Sequence, residues 1–211
     1  MKRILSLLFK ILIVVMSGIG LYLNFKLLSF EKGIIYFTIQ SNLLCFLFFF
    51  VIIILELTKK LQKNDWYYII KGMVTMAITI TMFVYQILLS SGDGVGAYAG
   101  HMLECNFVHL YVPLLVILDY IIFGEKGHLK KEYPFYWSFI LLVYVIFNIV
   151  YVLLGGEFEG GARYPYSYMD VDKLGLFNVF INCLMIYIFF IGYGTIVQKL
   201  DNKLGNININ G

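Results

Sequence analysis

Six long apolar stretches run through this chain, and their repetition constrains its fold more than any other feature. They cover residues of about 4–23, 34–57, 67–90, 102–123, 133–154 and 175–197. A helix needs about 20 predominantly apolar residues to cross the hydrocarbon of a bilayer, and each stretch meets that length. Hydrophobic residues make up 61% of the chain and charged residues 14%, where a soluble domain carries about 25% charge. Little is left outside the six stretches except short loops and a polar tail at 200–211. The expected fold class is therefore all-α, with residues 1–199 forming one six-helix transmembrane domain.

Lys2 and Arg3 precede the first apolar run, as in a secretory signal. Lys10 interrupts that run, no A-x-A-like cleavage site follows, and the apolar character continues to Leu28. The segment is expected to be a retained first helix. A net charge of +3, spread over loops, gives no electrostatic support for a nucleic-acid partner. Cys45, Cys105 and Cys183 all fall within predicted helices and form no Cys-x-x-Cys pattern, so they are read as small packing residues. Among the basic residues 14 are Lys and two Arg, in a chain rich in Ile, Phe, Tyr and Asn. That bias suits a low-GC bacterial genome.

Charge in short loops sets orientation. With the N-terminus cytoplasmic, the inner segments hold Lys2, Arg3, Lys59, Lys60, Lys63, Lys126, Lys130, Lys131, Lys199 and Lys203, ten in all. The outer segments hold four: Lys26, Lys32, Arg163 and Lys173. Lys10 and Lys71 lie near inner helix ends, where a long side chain can snorkel. Both termini are thus expected to face the cytoplasm, and the chain to sit in a plasma membrane. The outer segments at 90–101 and 155–174 are Gly-rich or acidic and aromatic, which suits either a lid or ordinary turns.

Polar residues within the spans fall into stripes. Thr38, Ser41, Asn42 and Cys45 share one face of the second helix, as do Cys105, Asn106, His109 and Pro113 on the fourth. Thr75, Thr79, Met82 and Gln86 make a comparable stripe on the third helix. Tyr144, Asn148 and Tyr151 mark the fifth, and Asn178 and Asn182 the sixth. Such stripes serve helix packing or mark a site. Asp119, near the inner end of the fourth helix, is expected to reach the headgroups or pair with Lys131.

His109 is the histidine that lies inside a span. A haem would want a second buried ligand and a zinc ion three or four, so neither a cofactor nor a metal is expected. A lone intramembrane His moves protons near neutral pH or is purely structural. Depth then links two stripes. At 1.5 Å per residue, Thr38 lies roughly 6 Å and His109 roughly 10 Å below the outer ends of their helices. A hydroxyl beside a base is the minimum for nucleophilic catalysis.

Three segments, YFTIQSNLL at 36–44, HLYVPLLVILDYIIF at 109–123 and ARYPYSYMDVDKLG at 162–175, together resemble the androgen-induced membrane protein family. Its members are six-helix proteins with bacterial relatives. The resemblance implies an intramembrane threonine hydrolase like the animal members, which cleave fatty acid esters of hydroxy fatty acids. By motif position it assigns the nucleophile to Thr38 and the base to His109, upstream of Pro113. Ser41, Asn42 and Asn106 are then the candidate donors to an oxyanion or substrate, and Asp170 or Asp172 of the outer loop the candidate orienters of His109. The implied partner is a membrane lipid or acyl ester. The rival reading is a transporter or small-solute binding protein with His109 as proton relay, although no inverted repeat or broken helix is visible. A scaffold or sensor subunit is the third.

Overall fold

A computed structural model describes residues 2–89 and 100–209. Six helices in it are long and apolar enough to cross a membrane, and the described residues contain no strand. This is the architecture of a multi-pass membrane protein. The spans are α1 (Lys2–Leu28), α2 (Phe37–Leu57), α3 (Asp65–Leu88), α4 (Met102–Phe123), α5 (Tyr133–Leu153) and α6 (Leu176–Ile209). The Gly-rich segment expected as an outer loop lies outside the described residues between Ser90 and Ala99.

Local chemistry explains three of the helix starts. The α3 helix starts two residues earlier than its apolar run because the Asn64 side chain accepts the Tyr67 N–H at 3.1 Å. Pro134 stands in the first turn of α5, where its missing N–H is harmless. The α2 helix starts later than its apolar run, since the Tyr36 N–H turns back to the Gly33 carbonyl at 3.1 Å. Two spans are not uniformly α-helical. The α3 helix passes from α-helix at Val84 into a π-helical turn at Tyr85–Leu89. The α4 helix contains a π-helical turn at Phe107–Tyr111, between Met102–Asn106 and Val112–Phe123.

The chain divides into two compact units, residues 1–126 and 127–211. In the first, α1 to α4 run alternately up and down. Early α1 meets late α2 at Lys10–Glu56, early α2 meets late α3 at Ser41–Thr81, and early α3 meets late α4 at Lys71–Asp119. The residues facing inward form three layers along the helices. One end holds Lys10, Glu56, Lys71 and Asp119; the other holds Thr38, Ser41, Asn42, Thr81, Tyr85, Cys105 and His109. Between them Ile13, Cys45, Phe49, Val74, Ile78, Val112 and Val116 pack into one buried apolar layer.

The charged layer corrects two expectations. Lys10 and Lys71 do not snorkel outward: both are buried, each in an ion pair, at 2.8 Å to Glu56 and 3.0 Å to Asp119. Asp119 therefore has Lys71 as its partner, where the sequence suggested Lys131. Burial of either charge is tolerable only because the other sits beside it.

In the second unit, residues 200–209 continue α6 as helix rather than forming a separate polar tail. Tertiary contacts hold this extension. The Gln198 and Asn202 amides donate to the Leu129 carbonyl at 3.0 and 2.9 Å, and Asp201 accepts the Gly127 N–H at 2.8 Å. The connection from α5 to α6 is also ordered. Asp170 caps the short helix Val171–Leu174, Arg163 pairs with Asp172 at 3.2 Å, and the Asn182 amide donates to the Tyr168 carbonyl at 3.0 Å.

Candidate functional site

The polar end of the first unit brings Thr38 and His109 into contact. Thr38 Oγ1 lies 3.2 Å from His109 Nε2, and His109 is only 3% exposed. The other ring nitrogen, Nδ1, lies 3.0 Å from the Cys105 carbonyl one turn back along α4. A carbonyl can only accept, so Nδ1 carries the ring hydrogen of the neutral imidazole. Nε2 then presents its lone pair, and the Thr38 hydroxyl donates to it. This is the tautomer a general base needs, set by the partner of the distal nitrogen.

The ring plane has its own support. Tyr85, at the start of the π turn of α3, stacks on the His109 imidazole with centroids 4.0 Å apart and planes at 26°. Cys105 Sγ lies 3.5 Å from Nδ1. The orienting partner expected from an acidic residue is thus a backbone carbonyl. Asp170 and Asp172 are engaged inside their own loop, with Lys173 and Arg163 respectively.

The three candidate oxyanion donors separate. Asn42 uses both amide hydrogens on carbonyls, Thr38 at 2.8 Å and Val108 at 3.0 Å. It has none left for a substrate. Ser41 is also committed, 3.0 Å from the Thr38 carbonyl and 2.8 Å from Thr81 Oγ1. Asn106 is half-buried, and its side chain makes no cap at the π turn that follows it. Of the three, Asn106 alone keeps donors available.

Two positions that line the site were invisible to the polar spacing of α3. The stripe read there, Thr75, Thr79, Met82 and Gln86, is not the one that lines the site. Thr81 and Tyr85 do so, while Gln86 is exposed. Every residue from Met76 to Thr81 is buried, so a threonine in this helix says little about which side faces the site. An aromatic residue one turn beyond the last buried threonine was the available signal for Tyr85.

Asn24 of α1 donates to the Glu104 carbonyl of α4 at 3.1 Å and to its own Gly20 carbonyl at 2.9 Å. A Cβ on Gly20 would stand 3.1 Å from Phe107 Cβ and 3.4 Å from Val108 Cγ1. The π turn that carries His109 is therefore gripped from α1 and α2. Comparison of the chain with family models, characterised proteins and solved structures gives no match.

Proposed function

We propose that the chain is an intramembrane ester hydrolase with Thr38 as nucleophile and His109 as general base. The observation that carries this reading is the 3.2 Å contact of Thr38 Oγ1 with His109 Nε2, given that Nδ1 is committed to the Cys105 carbonyl. Threonine is a weak nucleophile at its free pKa and needs such a base. In the reaction, Oγ1 attacks the ester carbonyl as its proton passes to Nε2. The tetrahedral intermediate then expels the alcohol, which takes that proton, and leaves an acyl-threonine. Water, deprotonated by the same nitrogen, attacks the acyl carbon, and collapse releases the acid and restores the Thr38 hydroxyl. Thr38 lies in the first turn of α2, where the helix dipole favours negative charge, although the Ile39 and Gln40 N–H groups already donate to the Tyr36 carbonyl at 3.1 Å. The Asn106 amide is then the donor for the oxyanion.

The buried apolar layer supports hydrolysis over transport. It lies between the site and the charged layer in all four helices of the unit, so seven buried apolar side chains stand between the two polar ends. The placement of the pair in spans of high hydropathy suits a lipid acyl ester, in keeping with the family resemblance of the three motifs. We further place both termini in the cytoplasm and the site toward the outer leaflet of a bacterial cell membrane. The ten-to-four distribution of Lys and Arg supports that orientation.

A lipid-tailed fluorophosphonate tests the reading. It should label Thr38, and Thr38→Ala and His109→Ala should each abolish labelling and ester turnover. The double variant should be little worse than either, because the two act as a unit. The base must be neutral, so the rate should fall as pH drops through the imidazole titration and level off above it. In proteoliposomes it should follow outer pH alone. Labelling that survives in Thr38→Ala, or a solute that crosses unchanged in response to the pH gradient, overturns the proposal.

A further inference from the structure

Asn42 is fully buried, yet its Oδ1 has no hydrogen-bond partner among the described residues. An unpaired buried acceptor is unfavourable and calls for a reason. The reason lies with the two hydrogens on the other side of the amide, and with the helix they reach.

Pro113 sits four residues after His109 in α4. Inside a regular α-helix its ring would clash with the His109 carbonyl, and it brings no N–H of its own. The helix widens here into the π turn Phe107–Tyr111, and the Val112 N–H reaches back five residues to the Phe107 carbonyl. In that register the next N–H would fall on the Val108 carbonyl, but the next residue is Pro113. The Val108 carbonyl therefore loses both its α-helical donor, diverted to Phe107, and its π-helical donor, which proline lacks. Asn42 fills that vacancy at 3.0 Å, while its second hydrogen holds the Thr38 carbonyl at 2.8 Å. One amide thus ties the backbone of the nucleophile to the residue immediately before the base.

We infer that Asn42 is a positioning residue that works with Pro113: proline opens the π turn that carries His109, and the Asn42 amide locks the opened turn to the Thr38 turn of α2. The inference rests on the proposed Thr38–His109 chemistry for its effect on rate, but not for its effect on the imidazole. Asn42 touches neither substrate nor the reacting atoms. It acts by fixing the distance between Oγ1 and Nε2, and the orphaned Oδ1 is the price of having both hydrogens committed.

The test combines two readouts on the full chain in lipid nanodiscs. The first is the ¹⁵N spectrum of the His109 ring, assigned by its loss in His109→Gln, which reports the tautomer without any reaction. The second is the rate at which the lipid-tailed fluorophosphonate labels Thr38. In the parent protein the ring should be the Nδ1–H tautomer. Asn42→Ala should mix the tautomers and slow labelling by about ten- to a hundredfold, the loss expected when a catalytic group moves by about an ångström. Pro113→Ala supplies the missing N–H in the π register, so Asn42→Ala should be several-fold milder in that background than alone. Asn42→Ser, which keeps a short hydroxyl for its own helix but cannot span to Val108, repeats the measurement should Asn42→Ala not fold. An unchanged tautomer and rate in the Asn42 variants overturns the inference, and so do losses from Asn42→Ala and Pro113→Ala that simply multiply. A tautomer that shifts as expected while even the parent protein takes no label upholds the positioning role and overturns the hydrolase reading.

Discussion

Removing the Asp119 carboxylate should destabilise the first unit far more than removing it together with its partner. Asp119 is fully buried and the Lys71 side chain is 10% exposed, with Oδ2 and Nζ 3.0 Å apart. At that separation an effective dielectric constant of about 20 gives roughly 5 kcal/mol of attraction. Most of this offsets the desolvation of the two charges, so the pair itself contributes little net stability. Asp119→Ala leaves the ammonium buried without a counter-charge, a situation that costs about 3–5 kcal/mol. In unfolding equilibria that is a factor of about 10² to 10⁴. Lys71→Met should cost a similar amount by stranding the carboxylate. The double variant Lys71→Met/Asp119→Leu replaces the pair with apolar groups of similar bulk and should recover most of the loss. Steric-trap or denaturant unfolding in bicelles measures all three against the parent protein. A single variant as stable as the parent, or a double variant that loses the sum of the two, would show that the buried charges are not balanced by each other.

Two further predictions concern packing and orientation. Gly20→Val should press on Phe107 and Val108, which leave 3.1 and 3.4 Å to a Cβ at that position; overpacking of this kind costs about 1–3 kcal/mol. It should slow fluorophosphonate labelling of Thr38 together with the stability loss, whereas Gly192→Ala, with no atom within 4 Å of the added Cβ, should neither slow labelling nor cost stability. For topology, a cysteine placed at Tyr166 in a cysteine-free background should react with an impermeant maleimide from outside intact cells, and one at Lys60 should not. Reaction at Lys60 alone would reverse the proposed orientation.

The sequence by itself determined the six spans, because hydropathy is a local property that adds up along each stretch without reference to any neighbour. It also determined which polar residues share a face on α2 and α4, since the 3.6-residue period brings Thr38, Ser41 and Asn42, or Cys105 and His109, onto one side. Period alone does not say which faces meet. That Thr38 reaches His109, that Lys71 rather than Lys131 partners Asp119, and that the Asn42 amide is spent on carbonyls were decided by the alternate run of four helices around one apolar layer. The period also failed on α3, where burial extends around the helix and hides the site-facing side, and where the π turn at Tyr85 sets a stacking residue that no polar stripe includes. The polar sequence after Lys199 carries no apolar signal for a span. It is helical because Gln198, Asp201 and Asn202 find backbone partners at Gly127 and Leu129, some seventy residues away. Local composition cannot encode such contacts; only the folded chain brings their two halves together.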